Sequence, residues 1–173
     1  MLPTAYQWLE TISPPNTIKE ALKLYGTKEK LGPENNPEIM SWANECGIKG
    51  YNADSIPWCG LFAAVVAKRA GWDIVENPLW ARNWSNFGQP SSPALGDILV
   101  FSRDGGGHVG FYVAEDSSYY HVLGGNQSDM VNIIRLSKTR LISARRPKWK
   151  ISQPLSVKKY IVSGAGAIST NES

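Results

Sequence analysis

Two cysteines, Cys46 and Cys59, and two histidines, His108 and His121, are the side chains best suited to nucleophilic and acid–base chemistry near neutral pH. Cys59 stands out by its setting, Ser55-Ile56-Pro57-Trp58-Cys59-Gly60-Leu61-Phe62, which runs into Ala63-Ala64-Val65-Val66-Ala67-Lys68-Arg69-Ala70-Gly71. Ser55 can cap a helix, Pro57 suits its first turn and Gly71 ends it, so the cysteine is expected in the first helical turn. There the unpaired backbone N–H groups and the positive end of the helix dipole favour thiolate over thiol, and the same N–H groups can hold a developing oxyanion. A cysteine beside an apolar run also reads as a small buried hydrophobe. The choice between the two rests on whether a base and an orienting group can reach it.

A thiol nucleophile needs a base in hydrogen-bond range and a third group that fixes the base's tautomer. His108 opens a strand directly after the glycine-rich Arg103-Asp104-Gly105-Gly106-Gly107, where a side chain at a sheet end can meet a helix N-terminus. A turn centred on Asp116-Ser117 would set Glu115 opposite Ser118 and His108 opposite Gly125, with Asn126 beside the imidazole. Asn126 is therefore assigned as orienter, with His121 as the alternative. The stretch Gly124-Gly125-Asn126-Gln127 also has the composition of a plain turn or bulge. Trp58, Trp84 and Gln127 are taken as candidate substrate contacts, with Trp80 and Phe87 as further aromatic faces that could stack on sugars; such rings are also common core residues. A zinc site from Cys46, Cys59, His108 and His121 is not expected, because no closely spaced ligand pair is present. No cofactor is called for.

The elements that must position these residues follow from periodicity and caps. A turn or short helix reaches Ile12 and ends at Pro14-Pro15. Thr17 and Glu20 form a capping box for a helix over 18–25, and Asn36 with Pro37 starts another that stops at Gly47 and turns Cys46 toward the core. After the cysteine helix, residues 77–88 hold one more short helix. Strands follow at Asp97–Phe101, His108–Ala114, Tyr119–Leu123, Met130–Leu136 and Leu141–Arg145. Helices first and a meander of short strands after them predict an α+β fold with an antiparallel sheet.

With 173 residues and 42% hydrophobic content, the chain can bury one core. One domain is expected over 1–150, followed by a basic, small-residue tail over 151–173, flexible or an anchor. A net charge of +3, from 18 basic and 15 acidic residues, does not argue for nucleic acid. The first ten residues have neither a basic start nor a long apolar run, which predicts synthesis in the cytoplasm without a signal peptide.

Taken together, Trp58-Cys59, Gly107-His108-Val109-Gly110-Phe111 and Leu123-Gly124-Gly125-Asn126-Gln127 resemble the bacterial and phage cell-wall cysteine hydrolases related to the CHAP and NlpC-type amidases. The resemblance extends through residues 32–39, Ala81-Arg82-Asn83-Trp84 and Gly96-Asp97-Ile98-Leu99-Val100-Phe101, covering roughly residues 17–147. It implies a papain-like fold in which Cys59 attacks a peptidoglycan amide, His108 protonates the leaving amine and Asn126 orients the histidine. NlpC-type members often use a histidine in the third role, which keeps His121 in view. A monomeric phage endolysin released through a holin is the expected setting, acting in the periplasm or cell wall. A virion-borne enzyme or an injected effector fits the same residues. A silent wall-binding or assembly module, and a papain-like protease or deamidase, are the competing readings.

Overall fold

The computed structural model describes residues 1–164 and 166–172. Ala165 and Ser173 of the expected tail lie outside the described residues. The helical half comes first: a 3₁₀ helix at Thr4–Glu10, then α1 (Asn16–Lys23), α2 (Pro37–Glu45) and α3 (Cys59–Arg69). A second 3₁₀ helix at Ala81–Asn86 leads into β1 (Gln89–Pro90), β2 (Ile98–Arg103), β3 (Gly106–Glu115), β4 (Tyr119–Gly124), β5 (Asn132–Ser137) and β6 (Leu141–Arg146). The fold is α+β. The six strands form one sheet in the order β1-β6-β2-β3-β4-β5, with every strand pair antiparallel.

The caps show which local signals prevailed. Asn36 accepts from the Glu38 N–H at 2.8 Å with Pro37 at the first position, as expected. Thr17 does not cap α1. Pro15 already sets the chain in an extended conformation, the helix begins at Asn16, and the Thr17 hydroxyl donates instead to the Gly96 carbonyl at 3.1 Å. Nor does Ser55 cap α3, which starts on Cys59 itself with Trp58 before it and ends just ahead of Gly71 at φ 86°.

α3 is the centre of the molecule. Residues 59–67 are all buried, because α1 and α2 pack against the helix as well as β3 and β4. A helix buried all round cannot carry a polar stripe, which explains its unbroken run of Ala, Val, Leu and Phe. Gly60 allows a close approach within this helix: a Cβ there would stand 2.1 Å from the Pro78 carbonyl oxygen. The sheet alternates in the usual way, with Val100, Val109, Phe111 and Leu123 in the core shared with the helices. Leu99, Phe101, Tyr112 and Val122 form a second apolar layer.

The β3–β4 register differs from the expected one. Glu115 faces Tyr120 and Ala114 faces His121; after a shift at Val113, Tyr112 faces Val122 and Phe111 faces Leu123. The tip is closed by Asp116, whose N–H donates to the Tyr119 carbonyl and whose carboxylate accepts from the Ser118 and Tyr119 N–H groups. That Asx turn moves the hairpin centre along the chain.

Residues 160–162 and 167–169 lie along the sheet. Glu115 N–H donates to the Tyr160 carbonyl (2.9 Å) and Val162 N–H to the Glu115 carbonyl (3.0 Å). Further on, Arg135 on β5 is bracketed by the Ala167 carbonyl (2.8 Å) and the Ser169 N–H (3.1 Å), and Glu172 is buried.

Candidate active site

Cys59 is the first residue of α3, at the rim of a cleft of ≈ 370 Å³ that is also lined by Pro57, Leu79, Trp80, Arg103 and Gly105–107. The first intrahelical bond, Phe62 N–H to the Trp58 carbonyl at 2.9 Å, leaves the Cys59 and Gly60 amides before the helical ladder, where they suit an oxyanion. His108 enters from β3 and is fully buried.

The orientation of the imidazole can be derived from its neighbours. The Gln127 side-chain nitrogen donates to the Asn132 carbonyl (2.8 Å), the Asn132 Oδ1 (2.9 Å) and the Val122 carbonyl (3.3 Å). These acceptors fix the amide, so its oxygen must face His108. His108 Nε2 therefore carries the proton and donates to Gln127 Oε1 at 2.9 Å. Nδ1, buried and without a hydrogen-bond partner among the described residues, is the nitrogen left for the cysteine, and the charges of thiol and imidazole are coupled.

Electrostatics favour a thiolate–imidazolium pair. Burial is the largest single influence on Cys59 and raises its pKa. The neighbouring His108 imidazole, the Val109 backbone N–H and the Arg103 charge more than reverse this, holding the thiol below its ordinary value. For His108, burial pulls the pKa down, yet the neighbouring Cys59, the Glu172 charge and the Gln127 amide bring it above the usual imidazole value. Cys46, by contrast, sits half-buried at the end of α2, where burial and the Glu45 charge push its thiol up to about 11. Both cysteines are free. Among the described residues, no cluster of three or more His, Cys, Asp or Glu side chains is arranged to hold a metal ion.

Of the expected site residues, the structure brings Cys59, His108 and Gln127 together. Asn126 does not meet the imidazole: it lies at φ 54°, and its Oδ1 is buried with no hydrogen-bond partner. The reason is local. β4 ends at Gly124, Asn126 adopts the left-handed conformation, and the chain turns so that the following side chain reaches back. Gly124 and Gly125 make room for this, since a Cβ on the first would lie 2.4 Å from Gln127 Oε1 and one on the second 2.5 Å from Phe62.

His121 serves elsewhere. Its Nε2 donates to Asp116 (3.0 Å), its Nδ1 accepts from the Tyr6 hydroxyl (2.8 Å), and burial holds it below the usual imidazole pKa. Trp58 and Trp84 are corrected to core residues. Both are fully buried, with Trp58 donating to Glu29 (3.2 Å) and packing on Trp42, and Trp84 donating to the Pro78 carbonyl (2.9 Å). The exposed ring at the cleft is Trp80, 73% accessible. Arg103 escaped the sequence reading, although an arginine at a strand end beside three glycines, one of them next to His108, was the available signal.

Among the described residues, no helix is long and apolar enough to cross a membrane. No curated protein matches the chain. A family model does: the CHAP domain, over residues 51–126, a span that begins shortly before the Cys59 helix, contains β3 with His108, and stops one residue short of Gln127. With a thiol at a helix start, an imidazole at a strand start and an α+β framework between them, residues 51–126 are similar to the papain-like CHAP domain, a match that supports a peptidoglycan cysteine hydrolase-like protein.

Proposed function

We propose that the protein hydrolyses an amide bond of peptidoglycan through a thioester, with Cys59 as nucleophile, His108 as acid and base, and Gln127 as the residue that holds His108 in its working tautomer. The observation that carries this reading is the hydrogen-bond chain from His108 Nε2 to Gln127 and on to Asn132, which leaves the unpartnered, buried Nδ1 for the charge-coupled Cys59. The CHAP match supports hydrolase or amidase action on peptidoglycan in general.

The chemistry follows from the geometry. The Cys59 thiolate adds to the carbonyl carbon of the scissile amide, and the oxyanion forms next to the first N–H groups of α3. His108 Nδ1–H gives its proton to the amide nitrogen, the C–N bond breaks and an amine leaves, so that a thioester remains on Cys59. Water then attacks the thioester carbonyl while neutral His108 takes its proton. The C–S bond breaks, and thiolate and imidazolium are restored together with a free carboxylic acid. Trp80 offers an exposed ring at the cleft for a sugar or apolar substrate face.

The test is mass spectrometry of fragments released from purified Gram-negative and Gram-positive peptidoglycan by the native chain and by Cys59→Ala. Release by the native chain alone is expected, and the new termini identify the bond. Equal release by Cys59→Ala would remove Cys59 from the mechanism.

A further inference from the structure

Glu172, well beyond β6, reaches the neighbourhood of the active site. Glu172 is 1% exposed and is gripped by Arg140 in a two-pronged pair, Nη1 to Oε1 at 2.9 Å and Nη2 to Oε2 at 2.6 Å. Arg140 is itself held, through Nε to the Ser102 carbonyl (2.9 Å) and through Nη1 to the Ser169 carbonyl (3.3 Å). The backbone carbonyl of Glu172 accepts from Arg103 Nη1, and Arg103 lines the cleft beside Cys59. A segment whose composition suggests a loose tail thus presents a buried carboxylate to Arg140 and a backbone acceptor to Arg103.

We propose that Glu172 is a positioning residue of the Cys59–His108 pair: clamped by Arg140, it holds Arg103 against the cleft through its carbonyl and sets a buried carboxylate within electrostatic reach of His108. The inference rests on the thiol-hydrolase reading for its functional meaning. Its physical content is an ordered alternation of charge. Arg103 is positive and acts on the thiolate, the imidazolium is positive and acts on both Cys59 and Glu172, and Arg140 closes the array on the far side. Buried charges interact more strongly than solvated ones, so each opposite neighbour favours the ion pair over the neutral thiol and imidazole. The other groups near His108 do not duplicate this role. Gln127 is neutral, and Arg82 from the 81–86 helix, packed against Gly107, donates to the Gly106 carbonyl.

The experiment follows the His108 imidazole by NMR through a pH titration, in the native chain and in Glu172→Gln and Glu172→Asp. The pH profile of peptidoglycan hydrolysis is measured in parallel. In Glu172→Gln the His108 midpoint is expected to move to lower pH, and the alkaline limb of hydrolysis to move with it. Glu172→Asp, which keeps the charge, restores both. An unchanged midpoint in Glu172→Gln, or an equal change in Glu172→Asp, would overturn the proposal, since a packing role predicts no distinction by charge. Arg103→Gln, on the exposed side of the array, is a second perturbation that does not open the buried clamp. The acid limb of Cys59 alkylation by iodoacetamide is expected to move to higher pH, and an unmoved limb counts against the array. A His108 shift in a chain that releases nothing from peptidoglycan would uphold the positioning role and sink the hydrolase reading.

Discussion

Replacing Gln127 by alanine removes the group that meets His108 Nε2 and also empties three contacts behind it, to the Val122 carbonyl and to both oxygens of Asn132. A buried polar group left without a partner costs about 1–3 kcal/mol. With the imidazole N–H and the Asn132 acceptors both stranded, a stability loss of about 2–4 kcal/mol is expected, large for one substitution. For catalysis, what disappears is the restraint on tautomer and ring orientation. If that hydrogen bond contributes about 1–3 kcal/mol in the transition state, kcat/KM should fall about 10- to 100-fold, since each 1.4 kcal/mol is a factor of ten. The assay is peptidoglycan fragment release at a temperature where circular dichroism shows the variant folded. Asn126→Gly is the comparison. The Asn126 amide oxygen has no partner and glycine tolerates φ 54°, so kcat/KM should stay within about threefold, under 1 kcal/mol. The reverse order, with Asn126→Gly crippled and Gln127→Ala active, would refute the tautomer argument and restore Asn126 as the orienter.

Two further predictions concern the thiols and the helix start. At pH 6–7 iodoacetamide should modify Cys59 at least about tenfold faster than Cys46, because only thiolate reacts and the two thiols are shifted in opposite directions from the ordinary value. Peptide mass spectrometry reads the ratio, and equal or inverted labelling would contradict the ion pair. Gly60→Ala forces a methyl to within 2.1 Å of a backbone carbonyl that cannot swing aside. It should cost about 1–3 kcal/mol by overpacking, seen as a fall in Tm, and displace the Leu79–Trp80 side of the cleft. An unaltered Tm would show that the 78–79 segment does not approach α3 so closely.

Much of the framework was legible before any coordinates. Strand positions followed from short apolar runs between turn residues, and α2 was marked at both ends by Asn36-Pro37 and Gly47. Cys59 and His108 stood out as a thiol at a helix start and an imidazole after a glycine loop. Gln127 was harder because the argument depended on register. The Asx turn at Asp116 and the shift at Val113 change the pairing by one or two residues, and a left-handed residue then swaps which side chain of Asn126-Gln127 looks inward. Trp58 and Trp84 were misread because an indole's size and polarity do not reveal whether its face is turned to a cleft or to Trp42. Arg103 and Glu172 were invisible for another reason: they are 69 residues apart, and only folding brings one to the other.

The pairing of residues 160–162 and 167–169 with the sheet also bears on how the protein behaves in concentrated solution. β5 is a terminal strand, and its outer N–H and C=O groups at Arg135 would otherwise be free to recruit a strand from another molecule. The half of β3 beyond β2, at Glu115, has the same exposure until residues 160–162 cover it. The segment therefore acts as a built-in cover for two open sheet margins. Shortening the chain before Tyr160 should yield a protein that self-associates through these margins, independent of any effect on the chemistry at Cys59.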